Sequence, residues 1–199
     1  MREVLEVWQG LGYNRRAQWL HRSAGKIMDE HGGQVPRSRE ELTGLPGVGP
    51  ATAGGVLAFA FGIPTVFLET NIRRALIHHF FAGEDEVEDA QLRRLMESTL
   101  DRENPRRWYY ALMDYGAMLK ESHPTLHRRS AGYRRQGAFE GSDRQIRGGI
   151  LRLLLSRSDI PAESIAEEFD AENNRVERVL SDLADEGMVR EDSGRYRLP

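Results

Sequence analysis

Apolar residues recur at helical spacing along almost the whole chain, and a glycine or proline ends most of these runs. These segments predict helices over residues 2–8, 15–30, 38–43, 50–61, 70–81, 88–100 and 105–119. The run 65–68 would suit a strand, but it has no partner and is interpreted as a buried extended connector. The predicted fold class is therefore all-α.

The sequence contains no cysteine, which excludes disulfides, cysteine nucleophiles, thiolate zinc sites and iron–sulfur clusters ligated by cysteine. Its histidines include the adjacent His78 and His79 and the nearby His123 and His127. Neither pair has the carboxylate spacing of a known zinc motif. No metal or other cofactor is expected on this basis.

Charge is unevenly distributed along the chain, although the net charge is only -3. Residues 120–157 hold nine Lys or Arg against three Asp or Glu, and residues 158–199 hold five against twelve. A basic band of this kind suits a phosphate-facing surface. On charge alone, a solvated arginine-rich linker explains it equally well.

The sequence has no apolar stretch of about 18 residues, the length that a membrane-spanning helix needs. Its first residues are those of an amphipathic helix and contain no signal-peptide core. These features predict a cytoplasmic protein without a membrane partner.

The residue pattern of the sequence changes after residue 119. Residues 120–141 contain several glycines and no apolar period, so they predict a basic arm or linker. Residues 142–199 predict three short helices and a β-hairpin with strands near 188–190 and 195–197, the layout of a winged helix-turn-helix. The predicted domains are thus 1–119, 120–141 and 142–199.

Two glycines lie two residues apart between helical segments, within the sequence Leu45-Pro46-Gly47-Val48-Gly49-Pro50. Bare backbone in such a turn can approach another surface closely, and the unpaired N–H groups of the next helix suit phosphate oxygens. An ordinary αα-hairpin with a glycine turn is the alternative.

Four ordered segments carry a family resemblance: 8–17 (WQGLGYNRRA), 45–54 (LPGVGPATAG), 68–74 (LETNIRR) and 111–117 (ALMDYGA). They resemble adenine-DNA glycosylases of the MutY type, in the HhH-GPD superfamily of base-excision glycosylases that also includes the endonuclease III type. The resemblance covers residues 1–119. It implies a helix-hairpin-helix glycosylase body, and the winged-helix-like domain that follows rests on the residue pattern alone.

The resemblance implies roles for individual residues. Glu69 would occupy the position of the catalytic carboxylate, which stabilises positive charge on the sugar or activates water, and Asn71 would orient the substrate or backbone nearby. Tyr13, beside Gly12, would be a wedge next to a flipped nucleotide, with a buried hydrogen-bonded tyrosine as the alternative.

The resemblance also implies a DNA interface. The hairpin, through Leu45, Gly47, Val48 and Gly49, would hold a phosphate and has room for a monovalent cation. The candidate phosphate contacts are arginines, and solvated helix arginines are the alternative: Arg15, Arg16, Arg73, Arg74, Arg128 and Arg129.

One position separates two reaction classes. The lyases of this superfamily place a lysine nucleophile two residues after the hairpin glycine, where this chain has Ala51. A methyl group cannot form a Schiff base, so the resemblance implies a monofunctional enzyme that leaves an abasic site.

The chain departs from the family's pattern in three ways. It has Glu69 where the family usually has aspartate, and it lacks the cysteines of the family's iron–sulfur loop. It also begins partway through the pattern, so we expect an N-terminally shortened glycosylase body.

The sequence therefore predicts a monofunctional DNA glycosylase that excises a mispaired or damaged base, with adenine favoured, from duplex DNA. The alternatives are a non-catalytic DNA-binding relative and a winged-helix regulator. The latter would use the third helix of the terminal domain, through Asn173, Asn174, Arg175 and Arg178. The acidic surroundings of that helix favour a packing or protein-facing role. Neither the base excised nor the oligomeric state follows from the sequence.

Overall fold

The computed structural model describes residues 1–169 and 171–199. Its contacts define two compact units, which are Met1–Gly33 with Gln136–Pro199, and Gln34–Arg135. The predicted body 1–119 is thus divided, because its first 33 residues group with the C-terminal module. As a division into functional domains, the boundaries at 119 and 141 stay predictions.

The protein is mainly helical, as the sequence predicts. The helices are α1 (Arg2–Trp8), α2 (Asn14–Glu30), α3 (Arg39–Thr43), α4 (Pro50–Phe61), α5 (Thr70–Phe80), α6 (Asp89–Thr99), α7 (Pro105–Ser122), a 3₁₀ turn (Leu126–Arg129), α8 (Asp143–Ser156), α9 (Ala162–Ala166) and α10 (Asn173–Asp185). The strands are β1 (Ile160–Pro161), β2 (Arg190–Asp192) and β3 (Arg195–Arg197). No helix in the described part of the chain is long and apolar enough to cross a membrane.

The strands form an antiparallel sheet with the order β1–β3–β2. The hairpin of β2 and β3 is confirmed, although β2 begins at Arg190 because Met188 and Val189 are buried in the core. Ile160 and Pro161 pair with β3 as an edge strand, where proline is tolerated.

The second unit, Gln34–Arg135, is built around α5. Its core includes Ile72, Leu76 and Ile77 of that helix, with side chains of α6 and α7 packed against them. Tyr109 of α7 is fully buried, and its hydroxyl donates to the carbonyl of Thr65 at 2.7 Å. This contact holds the segment before α5 extended, so the predicted buried connector is confirmed.

The first unit joins α1 and α2 to the C-terminal helices. Leu5 and Ala17 belong to the same buried cluster as the apolar side chains of α8 and α10. Arg15, Gln18 and Arg22, spaced along one face of α2, all donate to Glu186 at the end of α10. These contacts explain why the first 33 residues group with the C-terminal module.

Candidate functional site

The predicted hairpin lies in the second unit, between α3 and α4. Ser38 caps α3 by accepting the N–H of Glu41 at 3.2 Å, and its hydroxyl donates to the Glu41 carboxylate at 2.7 Å. Leu45 is buried and anchors the turn. Gly47 then adopts a φ of +73°, in the left-handed region that glycine enters without strain. The sequence thus sets both the start and the bend of the hairpin.

The N-terminus of α4 faces solvent at the end of this turn. Gly49 is its N-cap and has no side chain to bond the first N–H groups, and Pro50 occupies the first helical position. Gly47, Gly49, Ala51 and Thr52 are exposed. Because the N–H groups of a first helical turn have no intrahelical acceptor, this end of α4 can receive an anion.

A close backbone contact ties α4 to the connector that follows it. A Cβ on Gly54 would lie 2.6 Å from the Cβ of Phe67, so only glycine fits there. The Phe67 ring stacks on Tyr109, with centroids 4.1 Å apart. Phe67 is two residues before Glu69, so a packed contact holds the segment that leads into the carboxylate against the helix that follows the hairpin.

Glu69 is the N-cap of α5. Its Oε1 accepts the N–H of Ile72 at 2.7 Å, and the side chain is partly buried. No hydrogen bond to its other oxygen, Oε2, is seen within residues 1–169 and 171–199. The carboxylate lies at the positive end of the dipole of α5. One oxygen therefore fixes the side chain, while the second has no hydrogen-bond partner among the described residues.

Asn71 belongs to a buried network rather than to an open surface. Its Oδ1 accepts a hydrogen bond from Arg74 Nη1 at 2.7 Å, and the same nitrogen donates to the carbonyl of Gly116 at 2.7 Å. Arg74 is 3% exposed. The interpretation of Arg74 as a phosphate contact is therefore wrong, because its guanidinium ties α5 to α7 inside the unit.

Two other predicted DNA-binding arginines of this unit have protein partners. Arg73 makes a two-pronged ion pair with Asp89, at 3.0 and 2.7 Å, and this hydrogen bonding holds the pKa of the Asp89 carboxyl below its usual range. Arg129 donates to the carbonyls of Phe81 and Ala82 at the end of α5. Arg128 is exposed.

The remaining predicted contacts, Gly12, Tyr13, Arg15 and Arg16, lie in the first unit. Tyr13 has a φ of +51° and is 61% exposed, so the alternative of a buried tyrosine is wrong. Its hydroxyl donates to Gln136 Oε1 at 3.0 Å. Arg16 lies over the rings of Tyr13 and Trp8, and Arg15 forms an ion pair with Glu186.

The third helix of the C-terminal module, α10, does not present free cations. Arg175 and Arg178 both pair with Asp143, at 2.7 and 3.0 Å. These pairs hold the pKa of Asp143 below its usual range. The ion pairs weaken the alternative of a winged-helix regulator that reads DNA with this helix.

The chain does not fit an iron–sulfur cluster, because the stretch after α7 supplies no cysteine thiolate. Within residues 1–169 and 171–199, no group of acidic and histidine side chains is placed to hold a metal ion.

The fold and the site together define a helix-hairpin-helix protein, through the glycine hairpin, the exposed N-terminus of α4 and the carboxylate that caps α5. A family model described as the helix-hairpin-helix motif matches residues 30–59. An adenine DNA glycosylase of Mycolicibacterium smegmatis is 30% identical over 98% of this chain and 73% of its own length. One of Mycobacterium tuberculosis is 32% identical over 99% and 72%, and the human one is 36% identical over 60% and 22%.

These relatives extend the likeness beyond the hairpin to nearly the whole chain. The protein belongs to the adenine DNA glycosylase family of base-excision repair enzymes.

Proposed function

We propose that this protein is a monofunctional DNA glycosylase that hydrolyses the N-glycosidic bond of a mispaired adenine flipped out of duplex DNA. The family's named activity, the exposed hairpin and the carboxylate of Glu69 support this function. Ala51 stands where a lyase would need lysine, which supports hydrolysis by water.

Glu69 supplies the chemistry in this proposal. As the bond between C1′ and the base nitrogen breaks, electrons leave with the base and positive charge grows on the sugar. The Glu69 carboxylate stabilises that charge, and its Oε2 accepts a proton from the water whose oxygen bonds to C1′. The abasic site keeps the hydroxyl of that water at C1′, the departing base takes up a proton from solvent to become the free base, and Glu69 returns its proton to solvent.

The hairpin binds the DNA backbone in this proposal. The N–H groups at Gly49 and the start of α4 bind one phosphate, with Leu45, Gly47 and Val48 shaping the turn, and a monovalent cation can share the carbonyls there. The single observation that carries the proposal is that Glu69 caps α5 with one oxygen, in the same unit as this hairpin.

The other predicted site residues have supporting roles. Tyr13, exposed after Gly12, acts as the wedge, and Asn71 orients the first turn of α5 through its bond to Arg74. Arg16 and Arg128 are the better phosphate contacts, because neither side chain makes a hydrogen bond or ion pair with the described residues. Arg15, Arg73 and Arg129 must exchange a protein partner for a phosphate.

The test is base release from a duplex carrying adenine opposite oxidised guanine, with alkali cleaving the abasic product. The wild-type chain is expected to release adenine, and Glu69→Gln is expected to lose release while keeping duplex affinity within a few-fold. The amide oxygen of glutamine can still accept the N–H of Ile72, so the cap persists and only the charge is removed.

Glu88→Gln is the matched control, because Glu88 is the N-cap of α6 in the same unit. It is expected to release adenine at the wild-type rate. Absence of release by the wild-type chain, or undiminished release by Glu69→Gln, would overturn the proposed function.

A further inference from the structure

The first unit contains an open cleft of about 890 Å³. Four parts of the chain line it: the loop before α2, the first turns of α2, the segment 136–139 and one face of α8. All of these elements belong to the same unit, and neither the hairpin nor Glu69 contributes to the cleft. Tyr13 and Arg16, which the proposed function places against DNA, belong to its lining.

The charged side chains that line the cleft, among the described residues, are all positive. Its described lining includes Arg15, Arg16, Arg144, Arg147 and Arg152, and none of the described lining residues is acidic. This is notable because the sequence as a whole carries a net charge of -3. The cleft concentrates positive charge on a protein that otherwise has an acidic excess.

Three of these arginines keep their charge available. Arg15 and Arg147 both pair with Glu186. In contrast, Arg144 donates to the uncharged carbonyls of Gly137 and Ala138. Arg16 contacts aromatic rings, and Arg152 is exposed and forms no ion pair with the described residues.

The rest of the lining combines apolar and aromatic side chains with glycines and the uncharged polar Gln9, Asn14 and Gln136. Leu5 and Leu151 are buried lining residues, and a Cβ added to Gly148 would meet no atom within 4 Å. Tyr13 and Phe139 are each 61% exposed, and the guanidinium carbons of Arg16 and Arg144 lie 5.6 and 6.0 Å from the centroids of their respective rings. Aromatic rings beside uncompensated arginines suit a ligand that has both a planar base and a phosphate.

We propose that this cleft binds an unpaired segment of a DNA strand. The phosphates lie on Arg16, Arg144 and Arg152, and a base stacks on Phe139 or Tyr13. A strand in an intact duplex cannot use the rings, because its bases are already stacked and paired. The cleft therefore binds single-stranded DNA without using the Glu69 carboxylate.

The test is fluorescence anisotropy of the full chain with a labelled oligothymidylate, at several salt concentrations. The wild-type chain is expected to bind it more tightly than it binds a duplex of equal length. Arg152→Glu is expected to weaken binding at least about tenfold, and to reduce the salt slope by roughly 0.7 for each phosphate that the variant no longer binds.

Phe139→Ala tests the base contact. We expect it to weaken oligothymidylate binding by about 5-fold to 100-fold, the effect of removing one stacked ring, and to leave duplex binding unchanged. Arg152 and Phe139 are both exposed, so their variants should unfold at the wild-type temperature.

Arg190→Glu is the control for net charge, because Arg190 is exposed on β2 in the same unit and does not line the cleft. It should bind the oligonucleotide as wild type does. The proposal is overturned if it weakens binding as much as Arg152→Glu, if both cleft variants bind like wild type, or if duplex is preferred. Glu69→Gln should bind oligothymidylate normally, so a failed glycosylase assay would not affect this result.

Discussion

Gly116 of α7 lies directly against the carbonyl oxygen of Asn71 in the first turn of α5, where a Cβ on residue 116 would be 2.1 Å from that oxygen. The backbone of α7 therefore sets the position of the turn that Glu69 caps. A glycine far from the carboxylate in sequence thus supports the proposed catalytic geometry.

Replacing Gly116 with alanine should destabilise the second unit by about 1–3 kcal/mol, because the methyl group must push α7 away from α5. Adenine release should fall with it, since Glu69 moves with the first turn of α5. Urea unfolding and base release measure the two effects. Gly83→Ala, at an exposed site with no atom within 4 Å of the added Cβ, should change neither.

Arg74 is expected to affect a histidine as well as stability. Burial lowers the pKa of His127, and the nearby charge of Arg74 lowers it further. Arg74→Met should therefore raise that pKa partway to its ordinary value, as followed by NMR titration. It should also cost about 1–3 kcal/mol, because the Gly116 carbonyl loses its partner. Arg107→Met, on the exposed surface of α7, should leave the His127 titration unaltered.

The ion pair of Arg73 and Asp89 should make the second unit sensitive to acid. Its hydrogen bonds lower the pKa of Asp89 in the folded state, so the pair stabilises the fold above the unfolded pKa of about 3.9. This stability is lost as the pH falls from there through the lowered folded value. Thermal unfolding at a series of pH values should show Asp89→Asn less stable than wild type near neutrality, with the difference vanishing in acid. A difference that persisted unchanged in acid would contradict this assignment.

Glu186 should be the main polar link between α2 and the C-terminal helices. Burial opposes its ionisation, but hydrogen bonds from Arg15 and Arg147 hold its pKa below the usual range. Glu186→Gln should destabilise the first unit by about 1–3 kcal/mol. The matched control is Glu168→Gln, which removes an exposed pair with Arg157 and should cost less than about 1 kcal/mol. Equal losses in the two variants would rule out a special role for Glu186.

Local signals made much of the candidate site predictable. Ser38 and Pro50 mark the starts of α3 and α4, and Gly47 and Gly49 mark the hairpin between them. Each signal depends on backbone groups within a few residues, so it can be read without knowing the fold. The winged module's hairpin was predictable for the same reason.

The partners of the arginines were not predictable in this way. Arg73 and Arg74 are adjacent in sequence, yet the first pairs with Asp89 while the second is buried against Gly116. The sequence assigned both to a DNA surface, because an arginine's neighbours do not reveal which face of its helix is covered. The capping bond of Glu69 was also missed, although a carboxylate one residue before a helix is a usable signal.

The sequence by itself determined the helices, the hairpin, the absence of thiolate chemistry and the position of the carboxylate. The tertiary structure decided that α1 and α2 join the C-terminal module, through contacts such as Arg15 with Glu186 across 171 residues, and that this unit contains an arginine-lined cleft. The physical reason is the separation along the sequence of the residues that interact. Turns and caps form between near neighbours, whereas burial and ion pairing depend on which distant surfaces exclude water from one another.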